Sequence, residues 1–516
     1  MDRTLNHGTL LDFTPYGKVA ATHRSSWTGT ALRALIGQVL TVASLLAPGA
    51  VSARALHLPN LGEASSAVLS RQQERELGAA FMRQARRTLP IVRDPEIQSY
   101  IQHFGERLVR ASDDPTGYFR FFVIRNNVIN AFSVPGAYVG IDSALILDTR
   151  NEDELAAVLS HEIAHVTQHH IARMLAQQKR LSLPAMGAML AGILVAAARP
   201  MAGGALLTTT SAAVAQNQLD YSRQFEAEAD RVGIETLARA GFNPRAMPDF
   251  FERLQNWSRL NDAGAPPPFL QTHPVTSERI SQSLNRAEQY PNRPMQDDLN
   301  YELMRARLAV DTAEDARDAV DQFKGDLARG HYRFRQAAEF GEGLARLRQG
   351  RFAEAATIAT ALVRHHPDVL AYQILAAQVA AASGHHRQAL SLYRAALRHH
   401  HDSVSLLELY AEELLDTHHP HRATRMLLRL LRHDRSRAHA YRMLARAAAD
   451  TGDAITLHRS LARYYYLDNR VGEALEQLHL AASAARRRND QYMLARITAR
   501  MKQIRRRQAE MPPLPN

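Results

Sequence analysis

Two histidines four residues apart constrain this chain more than any other feature. In NEDELAAVLSHEIAHV, residues 151–166, the apolar Leu155, Ala156, Leu159, Ile163 and Val166 recur at helical spacing behind an acidic first turn, the pattern of an amphipathic helix. His161 and His165 therefore share one face. Two imidazoles at i and i+4 can bind one tetrahedral Zn²⁺, and Glu162, beside the first, is placed to activate a zinc-bound water as general base. A catalytic zinc takes three protein ligands and keeps one position open, so a third ligand must come from elsewhere. The metzincin solution needs Gly at 168 and His at 171, and this chain has Gln168 and Ile171. One helix does not easily fold three of its own side chains around one ion, so His169 and His170 read as helix-surface residues.

Downstream, SRQFEAEADRVGIETLARAGFNP, residues 222–244, repeats Phe225, Ala229, Val232, Ile234 and Leu237 and ends at Gly241 and Pro244, which predicts a second helix. On it Glu226 and Asp230 are one turn apart. Glu226 can reach the metal while Asp230 accepts a hydrogen bond from a ligand imidazole and fixes its tautomer. Glu228 reads as part of an acidic solvent face.

HEIAH followed by FEAEAD resembles the ExxAD branch of the zinc metallopeptidases, which includes the CAAX-prenyl endopeptidases and the heat-shock protease HtpX. The resemblance implies His161, His165 and Glu226 as ligands of one Zn²⁺ per chain, Glu162 as base and Asp230 as partner of a ligand imidazole. NVINAFSVPGAYVGIDSALI, residues 127–146, is similar to the strand segment before the metal helix in that family, with PGA and DSAL where PGG and GL are common. With FRFFVI before it, this β-prone stretch around a Pro-Gly turn predicts a small sheet, one edge of which can pair with an extended peptide substrate. QTHPVTSERI, residues 271–280, resembles the family's HP…RI segment and offers His273 and Arg279. The resemblance places His273 near the metal, either filling the open position at rest or stabilising the oxyanion in turnover. The preceding NDAGAPPPF excludes regular structure.

At 516 residues the chain has room for two or three domains. It has no cysteine, which removes disulfides, thiolate metal sites and a lipoprotein anchor. ALRALIGQVLTVASLLAPGAVSARA, residues 31–55, has the layout of a secretory signal peptide behind an unusually long leader. The net charge of +11 comes almost wholly from scattered Arg with no nucleic-acid motif, so nucleic acid is not expected as a partner. A basic run near the end, residues 485–508, offers contact with anionic lipid or an acidic partner.

From about residue 300 the chain becomes Arg-, Ala- and Leu-rich. Gly350, Gly384 and Gly452 fall on a 34-residue grid with His418 at the missing node, and Ala355, Ala389 and Ala423 fall on a second grid of the same spacing. GRFAEA and GHHRQALSLYRAAL resemble tetratricopeptide repeats, a stacked-hairpin solenoid with a concave groove. After Tyr466 the phase slips.

The expected fold class is an α+β zincin-like metallopeptidase domain, mostly α with a small sheet, followed by an all-α tetratricopeptide-repeat solenoid. The expected divisions are a signal peptide at 1–55, the peptidase at 56–300 with an apolar lid or membrane-docking insert at 181–216, and the repeats at 301–516. That order resembles the periplasmic β-barrel assembly-enhancing proteases of Gram-negative bacteria. The resemblance implies a periplasmic zinc endopeptidase with a chaperone-like role, unfolded or stalled outer-membrane proteins as substrates, the β-barrel assembly machinery as partner of the repeats, and peripheral membrane contact. Two rival readings are a repeat scaffold with an autoinhibited peptidase and an integral membrane protease like HtpX.

Overall fold

A computed structural model of the chain describes residues 70–177, 191–195, 197, 212–260, 266–291, 293–295 and 298–510. The expected signal peptide and most of the 181–216 insert lie outside the described residues.

The described part is mostly helical, with one three-stranded sheet. Helix α1 (Arg71–Thr88) opens with a capping box in which the Ser70 hydroxyl and the Gln73 side chain each accept from the other's backbone N–H. Helix α2 (Pro95–Ala111) carries Pro at its first position behind Asp94, whose carboxylate accepts from Glu96 N and Ile97 N. Strands β1 (Arg120–Ile124), β2 (Ala131–Val134) and β3 (Tyr138–Asp142) form a sheet in the order β1-β3-β2, with β1 parallel and β2 antiparallel to β3. The Pro-Gly turn between β2 and β3 holds Gly136 at φ 83° and Ala137 at φ 63°. A Cβ at Gly136 would stand 2.7 Å from the Glu74 carbonyl oxygen of α1, so glycine is required there.

Alternation along β1 sends its side chains into two cores. Phe121 and Val123 join Ile97, Ile101 and Leu108 of α2, while Phe122 and Ile124 join Phe81 and Met82 of α1. Leu194 and Ala197, from the insert, are buried in that second cluster. The first core also takes the short α3 (Ser143–Asp148) and one side of α4 (Glu152–Thr167). Asn151 caps α4 by accepting from Glu154 N, and three acidic residues in its first turn suit the positive end of the helix dipole. Beyond α5 (His170–Gln177) and α6 (Ala212–Ala240) come α7 (Ala246–Leu260), α8 (Pro268–Thr272) and α9 (Ser277–Ala287).

The remaining helices form hairpins: α10 (Leu299–Thr312), α11 (Ala316–Arg329), α12 (Arg335–Arg348), α13 (Phe352–His365), α14 (Leu370–Ala382), α15 (His386–His399), α16 (Val404–Asp416), α17 (Pro420–His433), α18 (Ala438–Asp450), α19 (Ala454–Leu467), α20 (Val471–Arg487) and α21 (Gln491–Glu510). Helices α13, α15, α17 and α19 start at constant 34-residue intervals. The residue two places before each start is left-handed: Gly350, Gly384, His418 and Gly452 have φ 80°, 79°, 57° and 70°. Ala355, Ala389 and Ala423 are fully buried where paired helices meet. The period lengthens at the end, where the left-handed residue before α21 is Asn489, 37 residues after Gly452. The hairpins return to the N-terminal half: Arg307 of α10 pairs with Asp94 and Glu96, Arg120 of β1 lies 3.2 Å from Asp434, and Arg86 of α1 donates to Leu467 O at 3.1 Å. Among the described residues, no helix is long and apolar enough to cross a membrane.

Candidate metal centre

Two helices supply the site because glycine lets them approach. At Gly233 of α6 an added Cβ would lie 2.9 Å from Met247 Cε and 3.2 and 3.3 Å from His161 N and Cα on α4, so a side chain there would have to push its neighbours back by a few tenths of an ångström. This contact sets Glu226 and Asp230 of α6 opposite His161 and His165 of α4. His273 follows α8, and Arg279 lies in α9.

His161, His165, Glu226 and His273 each offer one ligand atom, all within 4.8 Å of one another. His161 Nε2 lies 3.0 Å from His165 Nε2, 3.3 Å from His273 Nδ1 and 3.4 Å from Glu226 Oε2. His165 Nε2 is 3.4 Å from Glu226 Oε1, and His273 Nδ1 is 3.0 and 3.1 Å from the two Glu226 oxygens. A tetrahedral zinc with bonds of roughly 2.0–2.1 Å sets its ligand atoms about 3.3–3.4 Å apart, so these separations suit one such ion.

The electrostatics agree with that fit. Three buried carboxylates, those of Glu162, Glu226 and Asp230, face one buried guanidinium, that of Arg279. The surplus of negative charge is what a divalent cation neutralises. Burial pulls the His161 imidazole down, yet Asp230 and Glu226 outweigh it and lift this group to about 10. Burial raises the Glu226 and Asp230 carboxyls, but His273 and His165 around Glu226, and His161 and Arg279 around Asp230, hold both below the ordinary carboxylate range. At His161 positive charge is favoured, whereas burial, helped by His161 and His273, holds the neighbouring His165 below the ordinary imidazole range. Glu162 is 1% exposed and, among the described residues, neither of its oxygens has a hydrogen-bond partner, the nearest basic group being His273 Nε2 at 3.4 Å. A buried carboxylate without a donor is costly, and its position beside the donor cluster is where an attacking water belongs.

Each histidine of the HExxH pair is held from behind. His161 Nδ1 lies 3.0 Å from Asp230 Oδ1, close but without the alignment of a hydrogen bond. Asp230 is in turn gripped by Arg279, whose Nε and Nη2 each donate to it at 2.8 Å, and Arg279 Nη1 reaches Glu226 Oε2 at 3.0 Å. His165 is backed by His170, with the two Nδ1 atoms 2.9 Å apart, and His170 Nε2 lies 3.2 Å from Glu228 Oε2.

All six residues expected at the site, His161, Glu162, His165, Glu226, Asp230 and His273, come together. Three expectations fail, the first being that NDAGAPPPF holds no regular structure, since its last two residues, Pro268 and Phe269, begin α8. His170 is not on the helix surface: it is 3% exposed and stacks on Phe225 at 4.6 Å. The chain leaves α4 through His169 in the left-handed conformation, φ 53°, which folds the next residue back under His165. Nor is Glu228 a free solvent-face acid, since it binds His170 and accepts from Arg173 at 2.7 Å. Sequence reasoning offered Arg279 without a role and had no signal for His170, because only a turn places it.

A small sheet over a helix bearing HExxH, with a carboxylate from a second helix in the donor set, defines a metal-dependent peptidase. Comparison with known proteins narrows that class: residues 95–287 match the model of peptidase family M48. A Vibrio cholerae protein provisionally named beta-barrel assembly-enhancing protease is 40% identical over 330 residues, 64% of this chain and 68% of that one. The Escherichia coli beta-barrel assembly-enhancing protease is 35% identical over 322 residues, 62% of this chain and 66% of that one. The mitochondrial metalloendopeptidase OMA1 of Saccharomyces cerevisiae is 32% identical over 160 residues, 29% of this chain and 41% of that one. The chain belongs to peptidase family M48, and its matches span about two thirds of these bacterial relatives.

Proposed function

We propose that the chain is a periplasmic zinc endopeptidase that acts on unfolded or stalled outer-membrane β-barrel proteins and supports their assembly. The observation that carries the hydrolytic part is the convergence of His161, His165 and Glu226 beside the buried carboxylate of Glu162, which accepts no hydrogen bond among the described residues. These three side chains would hold the zinc. When bound, the metal supplies a Lewis acid and a water acidic enough to attack at neutral pH. Glu162 takes the proton of the attacking water at its carboxylate and passes it to the departing amide nitrogen. His170 fixes the tautomer of His165, Asp230 sets a negative charge 3.0 Å from His161 Nδ1, and Arg279 holds Asp230 and Glu226 in place. Strand β2 lies at the edge of the sheet, where an extended substrate can pair with its backbone.

The barrel-protein reading rests on the names of the bacterial relatives, and the periplasmic one on the signal-peptide layout of residues 31–55. The 34-residue helix interval, the left-handed node and the buried alanines support a tetratricopeptide-repeat solenoid as the partner-binding half, docking on the β-barrel assembly machinery. Burial of Leu194 and Ala197 against α1 favours the insert as a lid packed on the peptidase. Purified protein should cleave a urea-unfolded barrel protein, lose that activity to a zinc chelator and regain it with added zinc. Cleavage that survives full metal removal would reject the assignment.

One observation favours a second reading, a scaffold with a latched peptidase. His273 Nδ1 stands inside the donor set, 3.0 Å from Glu226 and 3.3 Å from His161, where it closes the position that substrate needs.

A further inference from the structure

Part of the charge that looks scattered in sequence is gathered in one place. A cleft of about 1420 Å³ between α17, α18, α19 and α21 is lined by seven arginines and a single carboxylate, Asp453, which lies 3.6 Å from Arg488. Arg459 and Arg463 stand one turn apart on α19, and Arg496 and Arg500 one turn apart on α21. Among the described residues none of these four meets a carboxylate. Neutral groups meet three of them instead: Arg500 lies 4.9 Å and Arg463 5.9 Å from the Tyr466 ring, Arg496 lies 5.5 Å from the Tyr492 ring, and Arg463 and Arg500 donate to Arg435 O and Gln503 Oε1. Burial and the neighbouring Arg496 hold Arg459 below the ordinary guanidinium range, and burial with Arg463 does the same to Arg500. Arg459, Arg463 and Arg500 are half-buried and Arg496 is exposed, with Asp453 the one carboxylate of the cleft; half-buried like charges short of counter-charge destabilise a fold unless an anion visits them. The wall beside them is apolar, the half-exposed Leu428 standing beside the buried Leu431 and Leu444.

We infer that this cleft is a binding site for an extended peptide whose side chains alternate acidic and apolar. Residues one helical turn apart present their side chains about 5–6 Å apart. An extended strand repeats a given face every ~6.6 Å, so carboxylates at every second position meet the ladders on α19 and α21, and the intervening apolar side chains meet the leucine wall. Guanidinium and carboxylate match as bidentate pairs. A bilayer surface does not enter a concave cleft, which favours peptide over lipid. The inference does not rest on the hydrolytic reading.

The test uses the full chain carrying Glu162→Gln, which removes cleavage, and fluorescence anisotropy of three labelled decapeptides. One alternates Glu and Val, one places the same residues in two blocks, and one alternates Lys and Val. The alternating acidic peptide should bind, more weakly as salt rises, with the block peptide at least tenfold weaker and the Lys peptide not binding. Arg496→Ala, at an exposed position, and Arg459→Ala should each weaken binding about tenfold, while Arg487→Ala, on the exposed face of α20, should not. Equal binding of acidic and basic peptides, indifference to both cleft substitutions, or binding of phosphatidylglycerol vesicles without the acidic peptide would overturn the proposal.

Discussion

Replacing His170 by Phe should weaken zinc binding while leaving the fold nearly intact. Glu228 can only accept a hydrogen bond, so His170 carries its proton on Nε2, 3.2 Å away. Its Nδ1 is then an acceptor for His165 Nδ1–H at 2.9 Å, which leaves the His165 Nε2 lone pair facing the donor cluster. Burial above all, helped by His165 and Arg173, pushes the His170 imidazole down to about 2, so it stays neutral and able to accept. Phe keeps the ring packed on Phe225 but removes both nitrogens, and His165 loses its orienting partner. Loss of such a hydrogen bond costs about 10- to 100-fold in metal affinity, or ~1.4–2.7 kcal/mol. Glu228 keeps its bond from Arg173, so no buried charge is orphaned, and the metal-free protein should lose at most the ~1–3 kcal/mol of an unpaired His165 Nδ1–H. Competition with a chromophoric chelator reads the affinity, and circular dichroism reads the fold. Unchanged zinc affinity in a folded His170→Phe protein would refute the tautomer argument.

Three further substitutions probe other parts of the account. His273→Ala should raise the rate of cleavage of an unfolded barrel protein if His273 latches the site, and a fall instead would assign it to stabilising the oxyanion. His418→Gly should stabilise the hairpins by about 0.5–1 kcal/mol, because an exposed non-glycine at φ 57° is strained by ~1–2 kcal/mol, partly offset by glycine's freedom in the unfolded chain; urea unfolding with no gain would count against it. Burial pushes the Asp142 carboxyl up to about 8 from 3.8, against hydrogen bonds from Asn126 and Asn130. The native state then holds a proton that the unfolded chain has released, so stability falls as pH rises from the unfolded value through the folded one. Asp142→Asn should therefore gain stability relative to the parent between pH 5 and pH 8 by at least ~1.4 kcal/mol, the worth of one pK unit. A constant difference at the two pH values would show that Asp142 is ionised in the fold.

The chemistry was legible wherever one helix or one strand carries it. Periodicity placed His161, Glu162 and His165 on α4 and Glu226 and Asp230 on α6, and the β-prone segments became β1, β2 and β3 around the Pro-Gly turn. The 34-residue grid is legible because it repeats one backbone requirement, a left-handed residue between helices. His418 stands at the node because His tolerates that conformation better than most side chains. What periodicity does not encode is a turn. One left-handed residue, His169, moves His170 from an apparent surface to the space behind His165, and Glu228 follows it inward. Arg279 is placed by α9 crossing α6, a tertiary contact with no local pattern. The arginines of the cleft looked like composition for the same reason, since their ladders lie on helices that meet only in the folded chain.

Zinc content of the purified protein beside two single variants bears most directly on the claim that α4 and α6 clasp one ion. One zinc per chain is expected in the parent and in Glu162→Gln, with cleavage in the variant falling about 10²- to 10⁴-fold as its general base is lost. Glu226→Ala, folded by circular dichroism, should lose both the zinc and the cleavage. A full zinc complement in Glu226→Ala would contradict the account.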